Sequence, residues 1–223
     1  MCSPPLTQAS QACAKLIREM LDVLLQPTNF FRALSQRKPN LVAPFFIVVA
    51  AAVAASLGQA LLTRLLLSPI PGGVAVQLAL ALVGGVVGGM VAWGLGGLVV
   101  RLLAGPDSRA WEVYGWASVP GLLLGLVAIP LAALFPITGD LPPIPPLTDV
   151  EASQAWQRAY RQLIWEATGF RILQGLNLLS ALWSLGIIWS ALKVLAPAKA
   201  LVTTLVIAAV SLAFMVWGLL SQR

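Results

Sequence analysis

Long apolar stretches with almost no charge inside them fill most of this 223-residue chain. They cover approximately residues 41–62, 74–103, 113–135, 170–195 and 201–220. A hydrocarbon core of about 30 Å needs about 20 helical residues at a rise of about 1.5 Å each, and every stretch supplies that length. The pattern predicts an all-α, polytopic membrane protein. Its domain 41–220 is expected to be a bundle of five transmembrane helices, preceded by an arm over residues 1–40.

The composition also indicates lipid rather than water around these helices. Hydrophobic residues make up 59% of the chain and charged residues 10%, whereas soluble domains carry about 25% charged residues. A large soluble core would need helices with one polar face, which the second and fifth stretches lack. The net charge of +6 is therefore interpreted as a topology signal and as attraction to membrane lipids with anionic headgroups. Because the basic residues are scattered, no nucleic-acid partner is predicted.

The arm is predicted to contain an amphipathic interfacial helix. Its apolar residues from Cys13 to Leu24 recur at helical spacing, and its charged residues lie on the other side. Pro27 ends this helix, and Thr28 or Asn29 caps a second, shorter one. The second helix carries Phe30, Phe31, Leu34, Arg32, Arg37 and Lys38. Two interpretations of the arm stay open: a membrane-surface anchor and a helix that docks a protein partner.

The lysine and arginine distribution predicts the orientation in the membrane. Nine of these residues lie in the arm and in the loops after the second and fourth spans, and five lie on the other side. Positive residues favour the cytoplasm, so the N-terminus is predicted to be cytoplasmic and the C-terminus external. The loop 136–169 is then external. In it, an extended run Pro142–Pro146 precedes a surface helix that Thr148 and Glu151 open as a capping box.

The second span has a ridge of small residues that predicts close helix packing. Gly84, Gly88, Ala92 and Gly96 lie four residues apart. The hydrophobic effect does not drive helices together in lipid, so their association depends on close backbone approach, which small residues permit. Packing within the chain, with the small face of the first span as neighbour, is favoured, and a homo-oligomer is the alternative.

Two prolines, Pro120 and Pro130, predict a bent third span, because each removes a backbone hydrogen bond. Ser118 is placed to satisfy a freed carbonyl. The fourth span carries a polar stripe of Gln174, Asn177 and Ser184 at helical spacing. This stripe is interpreted as interhelical hydrogen bonding, and the functional alternative is a path for a neutral or weakly polar solute.

The sequence offers no catalytic, cofactor-binding or metal-binding pattern. Histidine is absent, and the two cysteines, Cys2 and Cys13, both precede the first span. No nucleophile with a base, no phosphate-binding loop beside a strand and no paired carboxylates inside the spans can be found. No enzymatic activity and no cofactor are therefore predicted.

Several segments resemble the bacterial Yip-domain (Ypt/Rab-interacting protein) family of integral membrane proteins. Pro27, Phe30 and Phe31 resemble its entry motif before the first span, and Tyr114, Gly115, Trp116 and Pro120 are similar to the element that opens its third span. Residues 183–192 with the turn 198–200 resemble its fourth span and the lysine-bearing turn after it. The resemblance extends over about residues 20–220.

The resemblance implies a five-helix membrane domain with a cytosolic N-terminus and a C-terminus across the membrane. Eukaryotic members are implicated in membrane traffic and bind Rab-type GTPases, but this chain lacks their long cytosolic arm, so that role is not transferred. The prediction is a scaffold in the bacterial inner membrane that recruits a partner or organises lipid through residues 1–40. The alternatives are a passive channel or carrier and a subunit of a larger envelope complex.

Overall fold

The computed structural model describes residues 8–66, 72–139, 145 and 148–220 and contains only helices and connecting segments in these ranges. The α-helices are α1 (Gln8–Leu25), α2 (Pro27–Ser35), α3 (Val42–Thr63), α4 (Gly73–Ala104), α5 (Ala110–Ala117), α6 (Val119–Leu134), α7 (Val150–Glu166), α8 (Thr168–Leu195) and α9 (Ala200–Leu220). The all-α prediction is confirmed. Most of the predicted extended run Pro142–Pro146 lies outside the described residues.

Four helical segments of the described chain are long and apolar enough to cross a membrane. They are Val42–Leu66, Gly73–Ala104, Pro106–Leu134 and Thr168–Leu195, and they correspond to the first four predicted spans. The last stretch contributes a shorter apolar helix over Pro197–Ala213 when only the described residues are counted.

The surface of α4 is covered with large apolar side chains. Leu80, Val83, Val87 and Leu102 are each more than half exposed. An exposed apolar strip of this length would promote aggregation in water, whereas lipid tails solvate it. The exposure pattern therefore agrees with a helix whose surroundings are largely lipid.

The third predicted span is two helices rather than one bent helix. Helix α5 ends at Ala117 and α6 begins at Val119, with the break at Ser118. Pro120 is the second residue of α6, where a helix has no partner for the backbone N–H and a missing N–H costs little. Only Pro130 lies inside the helix. The Ser118 hydroxyl donates to Tyr114 O at 3.0 Å, which is not one of the carbonyls that Pro120 and Pro130 free, so the predicted role of Ser118 stays a prediction.

Two predicted helix caps differ from the observed ones. Helix α2 has Gln26 rather than Thr28 or Asn29 at its N-cap position, without a side-chain capping bond, because Pro27 occupies the first helical position that its fixed φ favours. Helix α7 is capped by Asp149 rather than by Thr148. The Asp149 carboxylate accepts the Ala152 N–H at 2.9 Å, which gives the first turn a partner for one free donor.

The chain divides into two compact units, which are described separately. The first contains Met1–Val48, Met90–Pro120 and Leu182–Val210, and the second contains Val49–Gly89, Gly121–Ala181 and Ser211–Arg223. The core of the second unit includes residues from helices α3, α6, α7 and α8, together with Leu66 and Ile137 from the segments that follow α3 and α6. These core residues are Leu62, Leu66, Ala128, Ala132, Ile137, Ile164, Phe170 and Leu173. Helix α7 therefore packs against its own unit through Ile164, which the prediction of a surface helix did not include.

Candidate functional site

The arm docks on α5 through aromatic side chains. The Phe30 ring lies 5.0 Å from the Trp116 ring in an edge-to-face arrangement, and 5.2 Å from the ring of Phe31. Phe31 is completely buried. Edge-to-face aromatic pairs add about 0.5–1.5 kcal/mol each beyond the burial of their area. The structure thus brings together three residues that the family motifs single out, Phe30, Phe31 and Trp116, and Pro27 starts the helix that carries the two phenylalanines.

Two charged side chains, those of Arg109 and Glu112, complete this contact by binding backbone groups of Leu34 and Asn40. We call these four residues the arm junction. Arg109 Nε donates to Glu112 Oε2 at 2.5 Å, and Arg109 Nη1 donates to Leu34 O at the end of α2. Glu112 Oε1 accepts the backbone N–H of Asn40 at 2.9 Å. One carboxylate and one guanidinium group therefore hold both the end of α2 and the segment that leads into α3.

The two charged side chains of the arm junction are largely buried. The Glu112 side chain is 1% exposed and that of Arg109 is 12% exposed. A buried ion pair must recover a large desolvation cost through geometry and further hydrogen bonds, which the Leu34 carbonyl and the Asn40 amide supply here. Arg109 Nη2 is buried and has no hydrogen-bond partner in the described part of the chain. Arg109 also has a φ of +51°, in the left-handed region, just before α5.

Neither Arg109 nor Glu112 is among the site residues predicted from the sequence. Arg109 enters that prediction only through the charge of its loop, and Glu112 has no part in it. A signal was nevertheless present. The chain has only eight acidic residues, and Glu112 lies three positions after an arginine, directly at the start of an apolar span. An acidic and a basic residue at this spacing can pair on one face of a helix.

The first turn of α3 packs directly on a glycine of α5. A Cβ atom added to Gly115 would lie 2.8 Å from Pro44 Cα, closer than side chains approach backbone atoms. The glycine of the third-span motif therefore allows the close approach of α3 and α5. Pro120, the last residue of the same motif, starts α6 and belongs to the break described above.

We predict that Gly115→Ala destabilises the protein and that Gly88→Ala does not. The added methyl group at position 115 must displace the Pro44 backbone, an overpacking effect that costs about 1–3 kcal/mol. Position 88 has no atom within 4 Å of an added Cβ, so the matched substitution is expected to change stability by less than about 1 kcal/mol. Detergent unfolding followed by tryptophan fluorescence measures both. Equal stability of the two variants would contradict this packing.

The predicted glycine ridge makes different contacts from those expected. Gly84 and Gly88 face open space, Ala92 is half-buried, and Gly96 lies against the Tyr114 ring. Backbone approach to the first span occurs instead at the neighbouring Gly85, where an added Cβ would lie 2.7 Å from Val53 Cα. The expected intrachain packing thus uses positions beside the ridge, and the homo-oligomer alternative stays a prediction.

The polar stripe of α8 is not enclosed. Gln174 and Asn177 are exposed and Ser184 is half-buried. No contact among the described residues joins the three side chains into one network. The solute path that this stripe suggested stays a prediction without a lining in the described structure.

A second polar cluster lies in the second unit. Gln77 Nε2 donates to Thr63 Oγ1 at 2.5 Å, and the Thr63 hydroxyl donates to Gln59 O at 3.0 Å. Burial raises the pKa of Tyr160 above its usual value, and a hydrogen bond with Thr63 partly opposes this rise. The Tyr160 hydroxyl therefore stays protonated at neutral pH and acts as a structural contact between α7 and α3.

No group of three or more acidic, histidine or cysteine residues that could hold a metal ion occurs in the described ranges. A family model of the Yip1 domain matches residues 21–220. An uncharacterized protein of Methanocaldococcus jannaschii is 26% identical over 127 residues, which are 52% of this chain and 90% of that protein. No solved structure matches the chain.

Proposed function

Because this chain belongs to the Yip1 domain family of membrane proteins, we propose that it is a non-enzymatic membrane scaffold that recruits a protein partner through its N-terminal arm. The observation that carries the proposal is an apolar ridge on α1 that the docked arm leaves uncovered. We call Ile17, Leu21 and Leu25 the α1 ridge. All three side chains are at least half exposed, and Leu25 is 75% exposed.

The geometry of α1 favours a partner helix over a simple membrane anchor. The helix already uses its inward side, with the buried Val23, to dock on its own chain. The α1 ridge remains as a separate row at spacing i, i+4 and i+8, the pattern by which one helix presents apolar anchors to another. The exposed Arg18 next to this row suits a partner with an acidic surface.

The proposed topology has five spans, with α9 as the fifth, a cytoplasmic N-terminus and an external C-terminus. It is supported by the first compact unit, which contains the arm together with the loops after α4 and α8. These are the segments whose lysines and arginines predict a cytoplasmic location. We further propose the bacterial inner membrane as the location, with the arm as domain 1–40 and the bundle as domain 41–220.

The experiment is a comparison of partner recovery from native membranes. The full chain, a deletion of residues 1–40, and Ile17→Ser/Leu21→Ser/Leu25→Ser are purified in parallel and analysed by mass spectrometry. Val150→Ser is the control, because Val150 is an exposed apolar residue on α7. We expect one partner to be recovered with the wild type and the control, and to be lost with the other two variants.

A photo-crosslinking residue at position 21 tests the same surface directly. An adduct with the recovered partner would support the α1 ridge as its docking site, and adducts with lipid alone would contradict it. Recovery of the same partner with the 1–40 deletion would also exclude the arm as the docking site. A subunit role in a larger envelope complex would instead give several partners that do not depend on the ridge.

A further inference from the structure

A basic cleft lies between the arm and the first turns of two spans. It has a volume of about 160 Å³ and is lined in part by Lys15, Glu19, Arg37, Lys38 and Glu112. A water molecule occupies about 30 Å³ in the liquid, so this volume holds several waters or one tetrahedral oxyanion with its hydration. The cleft is separate from the exposed α1 ridge proposed above for protein recruitment.

Hydrogen bonds and ion pairs already occupy both carboxylates in this cleft. Glu19 Oε1 accepts Arg37 Nη1 at 2.9 Å. The two oxygens of Glu112 accept Arg109 Nε and the Asn40 N–H, as described for the arm junction. The negative charges of the cleft are therefore compensated within the chain and do not attract a cation.

Within the described ranges, two lysine ammonium groups of the cleft have no partner of this kind. Lys15 and Lys38 line the cleft, and neither makes a hydrogen bond or ion pair with the described residues. Together with the paired Arg37 and Arg109, the local charge exceeds that of Glu19 and Glu112 by two positive charges. A concave surface with this charge balance concentrates anions.

The position of the cleft along the spans indicates where such an anion would come from. Its lining includes Ala43, the second residue of α3, and Glu112, the third residue of α5 in the third membrane-crossing segment. The ends of membrane-spanning helices lie at the depth of the lipid headgroups, and basic residues beside them bind anionic lipid.

We propose that this cleft binds a phosphate group, presented by the headgroup of an anionic membrane lipid. Lys15 and Lys38 contribute the charges that neutralise the phosphate oxygens, and Arg37, held by Glu19, borders the same cleft. The proposal goes beyond partner recruitment, because its ligand is a lipid and its residues are not those of the α1 ridge.

The test is isothermal titration calorimetry at low salt with the detergent-purified full chain. The probes are dihexanoyl phosphatidate, dihexanoyl phosphatidylcholine and inorganic phosphate. We expect phosphatidate to bind more tightly than the zwitterionic lipid. Lys15→Gln/Lys38→Gln is expected to weaken phosphatidate binding by about tenfold to thirtyfold, since each lysine near the surface contributes about 1 kcal/mol.

The matched control is Lys193→Gln/Lys199→Gln, which removes the same charge from the loop region after α8. If the control keeps the wild-type affinity for phosphatidate and the Lys15→Gln/Lys38→Gln variant loses it, the result would support the cleft as the binding site. Inorganic phosphate that binds as tightly as phosphatidate would support a phosphate site but assign it to a soluble ligand. Equal weakening by both double variants, or no binding of phosphatidate, would overturn the proposal.

Two further measurements keep the outcomes separable. All four lysines are exposed, so thermal unfolding of both double variants is expected to match that of the wild type. A folded Lys15→Gln/Lys38→Gln variant that binds phosphatidate with full affinity would also overturn the proposal. Partner recovery is then measured with Lys15→Gln/Lys38→Gln. We expect Lys15→Gln/Lys38→Gln to lose lipid binding and still recover the partner, and the α1 ridge variant to lose the partner and still bind lipid. Either of the two proposals can then fail while the other stands.

Discussion

Replacing Glu112 with alanine is expected to lower the free energy of unfolding by about 3–5 kcal/mol, the cost of removing one partner of a buried ion pair. The substitution leaves Arg109 as a buried charge without its carboxylate. It also removes the acceptor of the Asn40 N–H. Unfolding of the purified protein in mixed micelles, followed by tryptophan fluorescence, measures the loss of stability.

The same substitution should also release the segment that joins the arm to α3. Residues 36–41 are connected to α5 through Glu112 Oε1, so their backbone amides should exchange with solvent faster once that oxygen is gone. Hydrogen exchange read by mass spectrometry on peptides that contain Asn40 reports this opening. The amides in the middle of α4 serve as an internal reference, because they do not depend on the arm junction.

Two variants separate the ion pair from a general effect of substitution. Glu151→Ala removes an exposed carboxylate on α7 and is expected to cost less than about 1 kcal/mol. Arg109→Met/Glu112→Leu removes both charges, leaves no unpaired buried ion, and is expected to be more stable than Glu112→Ala alone. If Glu112→Ala proved as stable as Glu151→Ala, the arm junction would not hold the arm in place.

The spans could be predicted from the sequence because one dominant energy determines them. An apolar segment of about 20 residues gains by entering lipid wherever it lies in the chain, and its backbone must then form a helix. The predicted second span 74–103 accordingly agrees with α4 (Gly73–Ala104) within one residue at each end. The α-helical fold class followed from the same argument.

The arm junction could not be predicted in the same way. Asn40 and Glu112 are 72 residues apart, and their hydrogen bond depends on how α3 and α5 pack. Gly115 allows that packing, but a glycine in the sequence indicates only that close approach is allowed there. The neighbour that makes the approach is determined by tertiary structure. Gly85 has the Val53 backbone beside it, whereas Gly88 has no neighbouring atom.

The helix caps show a smaller limit of the same kind. Thr148, Asp149 and Glu151 are all residue types that begin helices, and the choice among them depends on where the first turn closes. The Asp149 side chain reaches the Ala152 N–H, so α7 begins one residue later than the capping box predicts. Local sequence therefore predicted the helix, and the loop geometry before it fixed its first residue.

Phe31→Ala is the second substitution for which we expect a large effect. Phe31 is 0% exposed, and its ring packs edge-to-face with Phe30, which in turn contacts Trp116. Truncation to alanine loses the burial of the ring and leaves a cavity that the surrounding side chains can fill only in part. The free energy of unfolding is therefore expected to fall by about 3–5 kcal/mol.

Phe46→Ala is the matched control, because the same atoms are removed from a ring that is 62% exposed on α3. Lipid tails occupy the space that the Phe46 ring leaves, so no cavity forms and the expected loss is limited to its edge contact with Phe45, about 0.5–1.5 kcal/mol. Micelle unfolding gives both values. If the arm is docked, Phe31→Ala is the more destabilising of the two substitutions. It should also reduce recovery of the partner, because a displaced α1 no longer presents Ile17, Leu21 and Leu25 in one row. Equal stability of the two variants would mean that α2 does not pack on α5, and the α1 ridge would then lose its rigid support.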